Sequence, residues 1–248
     1  MSAMYYIIMH KTNPRWEAGE IPSQELIARV GTLLGELARM KLFRDGEGLR
    51  SSCLGVRLTF SGGRCTITKG PFTGEHELPS GFSILRVASL DEAIEWATRE
   101  ARALGDGEMD IRPVTEPWDI GMSGKPEDIA TTRYMVLRKA TRASEAGEPL
   151  PQAQRDEMAR LIDESSRAGV HLVTHTMKPS ARGRRYKNSS DGIRVVDGPF
   201  TESKELIAGY IIVSVASLDE ADRWARRYLA TVEADEVDLR ELDEAAAV

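Results

Sequence analysis

Two spacings of apolar residues alternate along the chain. Tyr5 to Met9 is a short apolar run that predicts a strand, and Tyr134 to Leu137 repeats it. Leu26, Val30, Leu33, Leu34 and Leu37 follow at the i, i+4, i+7, i+8, i+11 spacing that places one apolar stripe on a helix. Met158, Leu161 and Ile162 make a weaker stripe at the corresponding place. Leu54 to Phe60 and Cys65 to Thr68 predict two strands joined by Gly62-Gly63. Their counterparts are Val170 to Met177, then, after a break at Pro179, Gly183 to Lys187 and Ile193 to Val196 around an Asp191-Gly192 turn. Phe82 to Val87 and Tyr210 to Val215 predict further strands. Ser89-Leu-Asp-Glu and Ser217-Leu-Asp-Glu have the form of capping boxes, each opening a helix. Met109 to Val114 and Val237 to Leu242 predict the closing strands.

These elements fall into a repeat. Gly70-Pro71-Phe72-Thr73 recurs as Gly198-Pro199-Phe200-Thr201, an offset of 198 − 70 = 128 residues. Ser89 to Ala93 recurs as Ser217 to Ala221, Trp96-Ala97 as Trp224-Ala225, and Asp110 and Arg112 as Asp238 and Arg240, all at that offset. The order β-α-β-β-α-β, written twice, predicts an α+β fold of two tandem ferredoxin-like modules. The modules span residues 1–114 and 133–242, with a linker at 115–132 and a tail at 243–248. The linker holds Pro117, Gly121, Gly124 and Pro126 without an apolar period, while Trp118 and Ile120 predict that it packs down. A ferredoxin-like sheet carries both helices on one face. Two modules can cover their bare faces by packing sheet against sheet, as an intrachain pseudo-dimer that forms an α+β barrel.

Composition narrows the function classes. A net charge of −6 and a pI near 5.4 argue against a general nucleic-acid or anionic-membrane binder, which needs a basic surface. No apolar run approaches the roughly 20 residues that span a bilayer, and the N-terminus has no basic-then-apolar leader pattern. Cys53 and Cys65, the only cysteines, offer neither a disulfide framework nor metal-type spacing. A Gly62-Gly63 turn sets Cys65 opposite Phe60 and leaves Cys53 far along the partner, so no bridge is expected. A reduced, cytoplasmic setting is expected.

Asp197-Gly-Pro-Phe-Thr-Glu202, Lys204-Glu205, Gly209-Tyr210, Val215-Ala-Ser-Leu-Asp-Glu-Ala and Trp224-Ala225 closely resemble the DGPF branch of the YCII-related family. The first copy matches through Gly70-Pro-Phe-Thr, Gly81-Phe82, Val87-Ala-Ser-Leu-Asp-Glu-Ala and Trp96-Ala97. The resemblance implies a dimeric α+β barrel and, for some members, an enzyme with a His on the first helix paired with an Asp. Neither first helix here contains a His, and Lys69 replaces the signature Asp in the first copy.

The candidate site therefore lies in the second copy. Asp197 ends a strand before Gly-Pro, where it can act as a general base or ligand anchor, or cap the turn. His171 and His175 lie four apart, roughly 13 Å on a strand, too far to share a metal. Each reads as a packed histidine or, for His175, a cleft wall, because it occupies the place of Glu47. Asp197 and His175 are the catalytic candidates, and Thr201, Glu202, Lys204 and Tyr210 the ligand-binding ones. Glu202 and Lys204 are matched by Gly74 and His76 in the first copy. Lys178, Arg182, Arg184, Arg185 and Lys187 form a basic run that reads as an anion site or a solvated strand. His10 and His76 read as surface residues, and Trp96 and Trp224 as packing residues. No cofactor or metal is expected. The expected partner is a small molecule, with a homodimer of the chain also open. The rival function is a scaffold or regulatory protein that keeps the fold without a working site.

Overall fold

The computed structural model describes residues 3–74, 76–203 and 205–243. The repeat is visible element by element. Strand β1 (Met4–Lys11), helix α1 (Pro14–Glu17), helix α2 (Gln24–Arg39) and strand β2 (Phe43–Gly48) open the first copy. Strands β3 (Val56–Ser61), β4 (Arg64–Lys69) and β5 (Pro79–Val87), helix α3 (Leu90–Leu104) and strand β6 (Gly107–Pro113) complete it. The second copy runs β7 (Thr132–Lys139), α4 (Arg142–Glu145), α5 (Gln152–Arg167), β8 (His171–Thr176), β9 (Arg184–Ser189) and β10 (Gly192–Asp197). It ends with β11 (Ile207–Val215), α6 (Leu218–Thr231) and β12 (Glu236–Glu241).

The helix starts follow from local chemistry. Ser89 and Ser217 accept the backbone N–H of Glu92 and Glu220, and the two glutamates reach back to the N–H of Ala88 and Ala216. Ser23 caps α2 by accepting from Leu26 N–H. Gly62 and Gly63 both take positive φ, as the β3–β4 turn requires, and Cys65 pairs with Phe60. Both cysteines are exposed and free.

The strands assemble into two six-stranded antiparallel sheets, ordered β10-β9-β12-β1-β11-β2 and β4-β3-β6-β7-β5-β8. Each sheet draws two strands from one copy and four from the other. β1 lies between β11 and β12, and β7 lies between β5 and β6. A sheet for each copy was the expectation; instead the copies exchange their leading β-α-β halves reciprocally. In that position β1 is buried on both faces. Tyr6 and Ile8 point into one core, with Leu33 and Leu37 of α2 and Trp224, Tyr228 and Leu229 of α6. Ile7 and Met9 point the other way, into a core shared by both sheets with Phe82, Ile84, Met135, Leu137 and Ile212. A third core lies under α3, with Leu58, Leu85, Ala97 and Val136. The sheets therefore do bury their inner faces against each other, as the repeat predicted.

Three local expectations change. Strand β3 starts at Val56, because Ser52–Leu54 forms a single 3-10 turn. Strand β2, at Phe43–Gly48, was not expected; Gly46 and Gly48 give it little strand propensity. His76 is buried at 5% exposure rather than on the surface, and His10 is half-buried between rings. The linker forms a 3-10 turn at Pro117–Ile120 that leaves Trp118 and Ile120 half-buried, while residues 121–128 are exposed. Among the described residues no helix is long and apolar enough to cross a membrane.

Candidate functional site

The Gly-Pro-Phe loops come first, since the sequence pointed to them. Both are built alike, on cis Gly70-Pro71 and Gly198-Pro199 bonds. A Cβ on Gly70 or Gly198 would stand 1.8 Å from the carbonyl oxygen of Ser52 or Ser180, so only glycine fits. The Phe72 and Phe200 N–H groups donate to Ser52 Oγ (3.1 Å) and Ser180 Oγ (3.0 Å). Each serine in turn donates to a carboxylate, Glu17 or Glu145. Arg57 covers the Phe72 ring at 4.6 Å and Arg185 covers Phe200 at 4.5 Å. The same guanidinium groups bond Asp110 and Asp238, which also hold Lys139 (2.7 Å) and Lys11 (2.6 Å). Burial alone would raise the Asp238 carboxyl; Lys11 and Arg185 override it and hold it at about 2. An anchor repeated so closely in both halves is a structural device.

Asp197 stands outside that anchor. It ends β10, is 78% exposed, and pairs with Arg184 at 3.1 Å. Thr201 is exposed, and the Glu202 carbonyl accepts from Arg185 at 3.0 Å. Lys204 lies outside the described residues. Tyr210 is buried and donates its hydroxyl to Asp45 Oδ2 at 2.7 Å, with burial and then Asp45 pushing it well above the ordinary phenol range. His175 is on β8, its ring 5.2 Å from Phe82, with burial lowering its affinity for a proton. Tyr210 sits 4.9 Å from the same Phe82 ring. The structure thus gathers His175 and Tyr210 around Phe82, and leaves Asp197, Thr201 and Glu202 at the far loop. Every member of the basic run is ion-paired: Lys178 and Arg182 with Glu241, Arg184 with Asp197 and Asp222, Arg185 with Asp238, and Lys187 with Glu236.

A cavity of about 580 Å³ opens between α2 and the β2–β11 edge, roofed by the linker. Leu26, Ile27, Val30 and Leu34 of α2 form one wall; Tyr210, Ile211 and Ala208 of β11 form another; Pro117, Ile120 and Met122 of the linker border it. At one end His10 packs between Trp16 (5.7 Å) and Tyr228 (5.6 Å). The Tyr228 hydroxyl is buried, and its hydrogen-bond partner among the described residues is His10 Nδ1, at 2.8 Å. Burial, reinforced by Lys11, lowers His10 to about 4, so at neutral pH the ring is uncharged. Elsewhere on the wall, Glu47 and Glu116 both bind Arg133.

The other half carries different residues at the matching positions. At the 128-residue offset, Arg138, Ser144 and Glu100 replace His10, Trp16 and Tyr228, while Thr174 and Thr176 replace Gly46 and Gly48. There Arg138 pairs with Glu100 at 2.6 Å and donates to Ser83 at 3.1 Å, and Ser83 meets Thr174 at 2.9 Å. Sequence reasoning missed His10, Trp16 and Tyr228 as site residues.

A smaller cavity, about 420 Å³, lies between the β2 and β8 edges. Its lining consists of pairs at the 128-residue offset: Tyr5 and Arg133, Arg44 and Leu172, Asp45 and Val173, Glu47 and His175, Ile84 and Ile212. The equivalence of Glu47 and His175 pointed to a cleft wall, and both residues line this one. Glu47 and Arg133 line both cavities. Asp197, Thr201 and Glu202 line neither. Among the described residues no group of three or more His, Cys, Asp or Glu side chains is placed to hold a metal.

These features define a tandem α+β protein whose two modules interlock and which carries an apolar cavity in one half. The model of the YCII-related domain matches residues 4–118 and again residues 132–244, and the chain belongs to that family. Comparison with curated proteins and with solved structures finds no significant match.

Proposed function

We propose that the protein binds a small, largely apolar molecule in the cavity between α2 and the β2–β11 edge. The observation that carries this reading is the asymmetry. The loops that hold the fold are retained in both halves, whereas the His10–Tyr228 pair, Trp16 and the small residues Gly46 and Gly48 occur in one. An aromatic-ended apolar chamber confined to one half is the kind of concave, mostly apolar lining that small-molecule sites use. Tyr210 is a wall of this site and His175 a wall of the adjoining cavity. The reading gives Asp197, Thr201 and Glu202 no part in binding.

The fold reading belongs with it. The run β12-β1-β11-β2, with α2 and α6 over one core, supports a ferredoxin-like unit assembled from both copies. Two such units facing through their inner core support a pseudo-two-fold barrel formed within one chain. The intact Asp197-Gly-Pro-Phe supports the DGPF branch, and two exposed free cysteines fit a reducing cytoplasm.

Gly31 supplies the test. It lines the cavity from α2, and a Cβ there would meet nothing within 4 Å. Gly31→Phe sets a ring into the chamber's α2 wall and replaces the poorest helix former but proline, so stability is retained or rises by roughly 0.5 kcal/mol. Binding of the neutral dye Nile red, followed by fluorescence, is expected for the parent and lost in the variant. Undiminished binding in a folded Gly31→Phe protein places the site elsewhere.

A further inference from the structure

We infer that the ligand of this cavity is a single-chain amphiphile, whose uncharged alkyl chain lies along α2 and whose polar head stays at the mouth. This rests on the cavity reading above and adds the shape and charge of what the cavity takes. Leu26, Ile27, Val30 and Leu34 line it from successive turns of α2. From Leu26 to Leu34 the helix rises about 12 Å, at roughly 1.5 Å per residue. On the facing side the lining follows the backbone from Gly46 to Leu49, about 10 Å of extended chain. Walls of that length flank a trough. The α2 wall carries only aliphatic side chains besides Gly31, and the rings of Trp16, His10 and Tyr228 stand together at one end.

The apolar surface continues past the trough. Among the described residues seven large apolar side chains are exposed, and three of them, Ile21 (59%), Leu54 (45%) and Met122 (59%), border this one cavity. Apolar side chains gathered at a cavity mouth and open to water mark surface that a bound molecule covers. Charge points the same way, because every charged side chain of the lining already has its partner. Arg133 bonds all four carboxylate oxygens of Glu47 and Glu116, Arg50 pairs with Asp119 at 3.3 Å, and Glu20 pairs with Arg15 at 2.8 Å. A charged body would break one of these pairs or give up its water without compensation, whereas a hydrocarbon does neither. A saturated chain advances about 1.25 Å per carbon, from single bonds of about 1.5 Å at near-tetrahedral angles, so about ten carbons span the trough. Further methylenes then lie over Leu54, Met122 and Ile21.

The test uses hexyl, octyl, decyl and dodecyl maltoside, neutral amphiphiles with one head, titrated calorimetrically into the intact protein below their micelle concentrations. Affinity is expected to rise about tenfold with each added pair of methylenes from hexyl to decyl, the fold-change that their transfer out of water carries. Gly31→Phe is expected to remove that rise. The double variant Leu54→Ser/Met122→Ser changes two exposed side chains; it is expected to weaken dodecyl maltoside at least about threefold and to leave hexyl maltoside unchanged. Affinity that is level from hexyl to dodecyl, a rise that survives Gly31→Phe, or a double variant that binds dodecyl maltoside like the parent overturns the alkyl-chain inference. So does failure of all four to bind. In each case the cavity reading stands as long as Gly31→Phe loses Nile red. If no maltoside binds, and Gly31→Phe takes up Nile red like the parent, the cavity reading falls and the alkyl-chain inference with it.

Discussion

At the scale of single residues, the chain buries ionisable groups in two ways. Asp110 and Asp238 are surrounded by cations and stay charged, whereas His10 and His76 are desolvated and stay neutral. Burial, with Lys139 and Arg57 adding to it, lowers His76 from 6.5 to about 4, as burial and Lys11 do for His10. His76 Nδ1 is buried without a hydrogen-bond partner among the described residues, so protonation there would add a charge to an unreceptive place. The sign of the pH effect follows. Between 6.5 and 4 the unfolded chain takes up protons that these folded histidines refuse, so stability falls as pH falls through that window. Each contributes roughly 2 kcal/mol once solvent screening is allowed for. Denaturation midpoints measured from pH 7 to 4 are expected to drop, and a His10→Gln/His76→Gln double substitution to flatten that part of the curve. A parent profile that is level over the same range contradicts this account.

At the scale of elements, the Gly-Pro-Phe loop shows how a motif can be conspicuous without being the site. Its glycine is fixed by contact with a serine carbonyl, its phenylalanine by an arginine above and a serine hydroxyl below. Gly198→Ala is therefore expected to cost at least about 3 kcal/mol, because backbone must move to clear the new carbon. Asp197→Asn is expected to cost under about 1 kcal/mol, since it breaks one exposed pair with Arg184. Comparable denaturant midpoints for the two variants would refute the anchor. The repeat itself was legible because both copies keep register through every turn and cap. Strand β2 was not read, as glycines at positions 46 and 48 erase the alternation; its counterpart at His171–Thr176 and the constant offset carried the missing signal. The candidate site was legible only in part. Glu47 and His175 betrayed a cleft by holding polar groups at one structural position. His10 and Tyr228 left no such trace, being 218 residues apart and meeting only because β1 leaves its own copy.

At the scale of the whole molecule, that exchange decides what a module is. The first strand of each copy is the central strand of the other copy's sheet, hydrogen-bonded on both sides. Neither half has a complete sheet or a closed core when taken alone, since the α2 core needs α6 and the α3 core needs β7. The linker between them contributes to the roof of the cavity through Pro117, Ile120 and Met122, but residues 123–128 are exposed and pair with no strand. Cutting there removes one covalent tie and none of the sheet hydrogen bonds. A chain given a protease site in this stretch and then cleaved is expected to elute as one particle of unchanged size in native buffer. It should separate into two fragments only in denaturant, and each fragment isolated and returned to buffer alone should lack the parent's cooperative unfolding. Mixing the two fragments should restore it, together with Nile red binding, because the cavity takes α2 from one fragment and β11 from the other. Two cleaved halves that part freely and each unfold cooperatively would mean that each copy closes its own sheet, and the interlocked arrangement would be refuted.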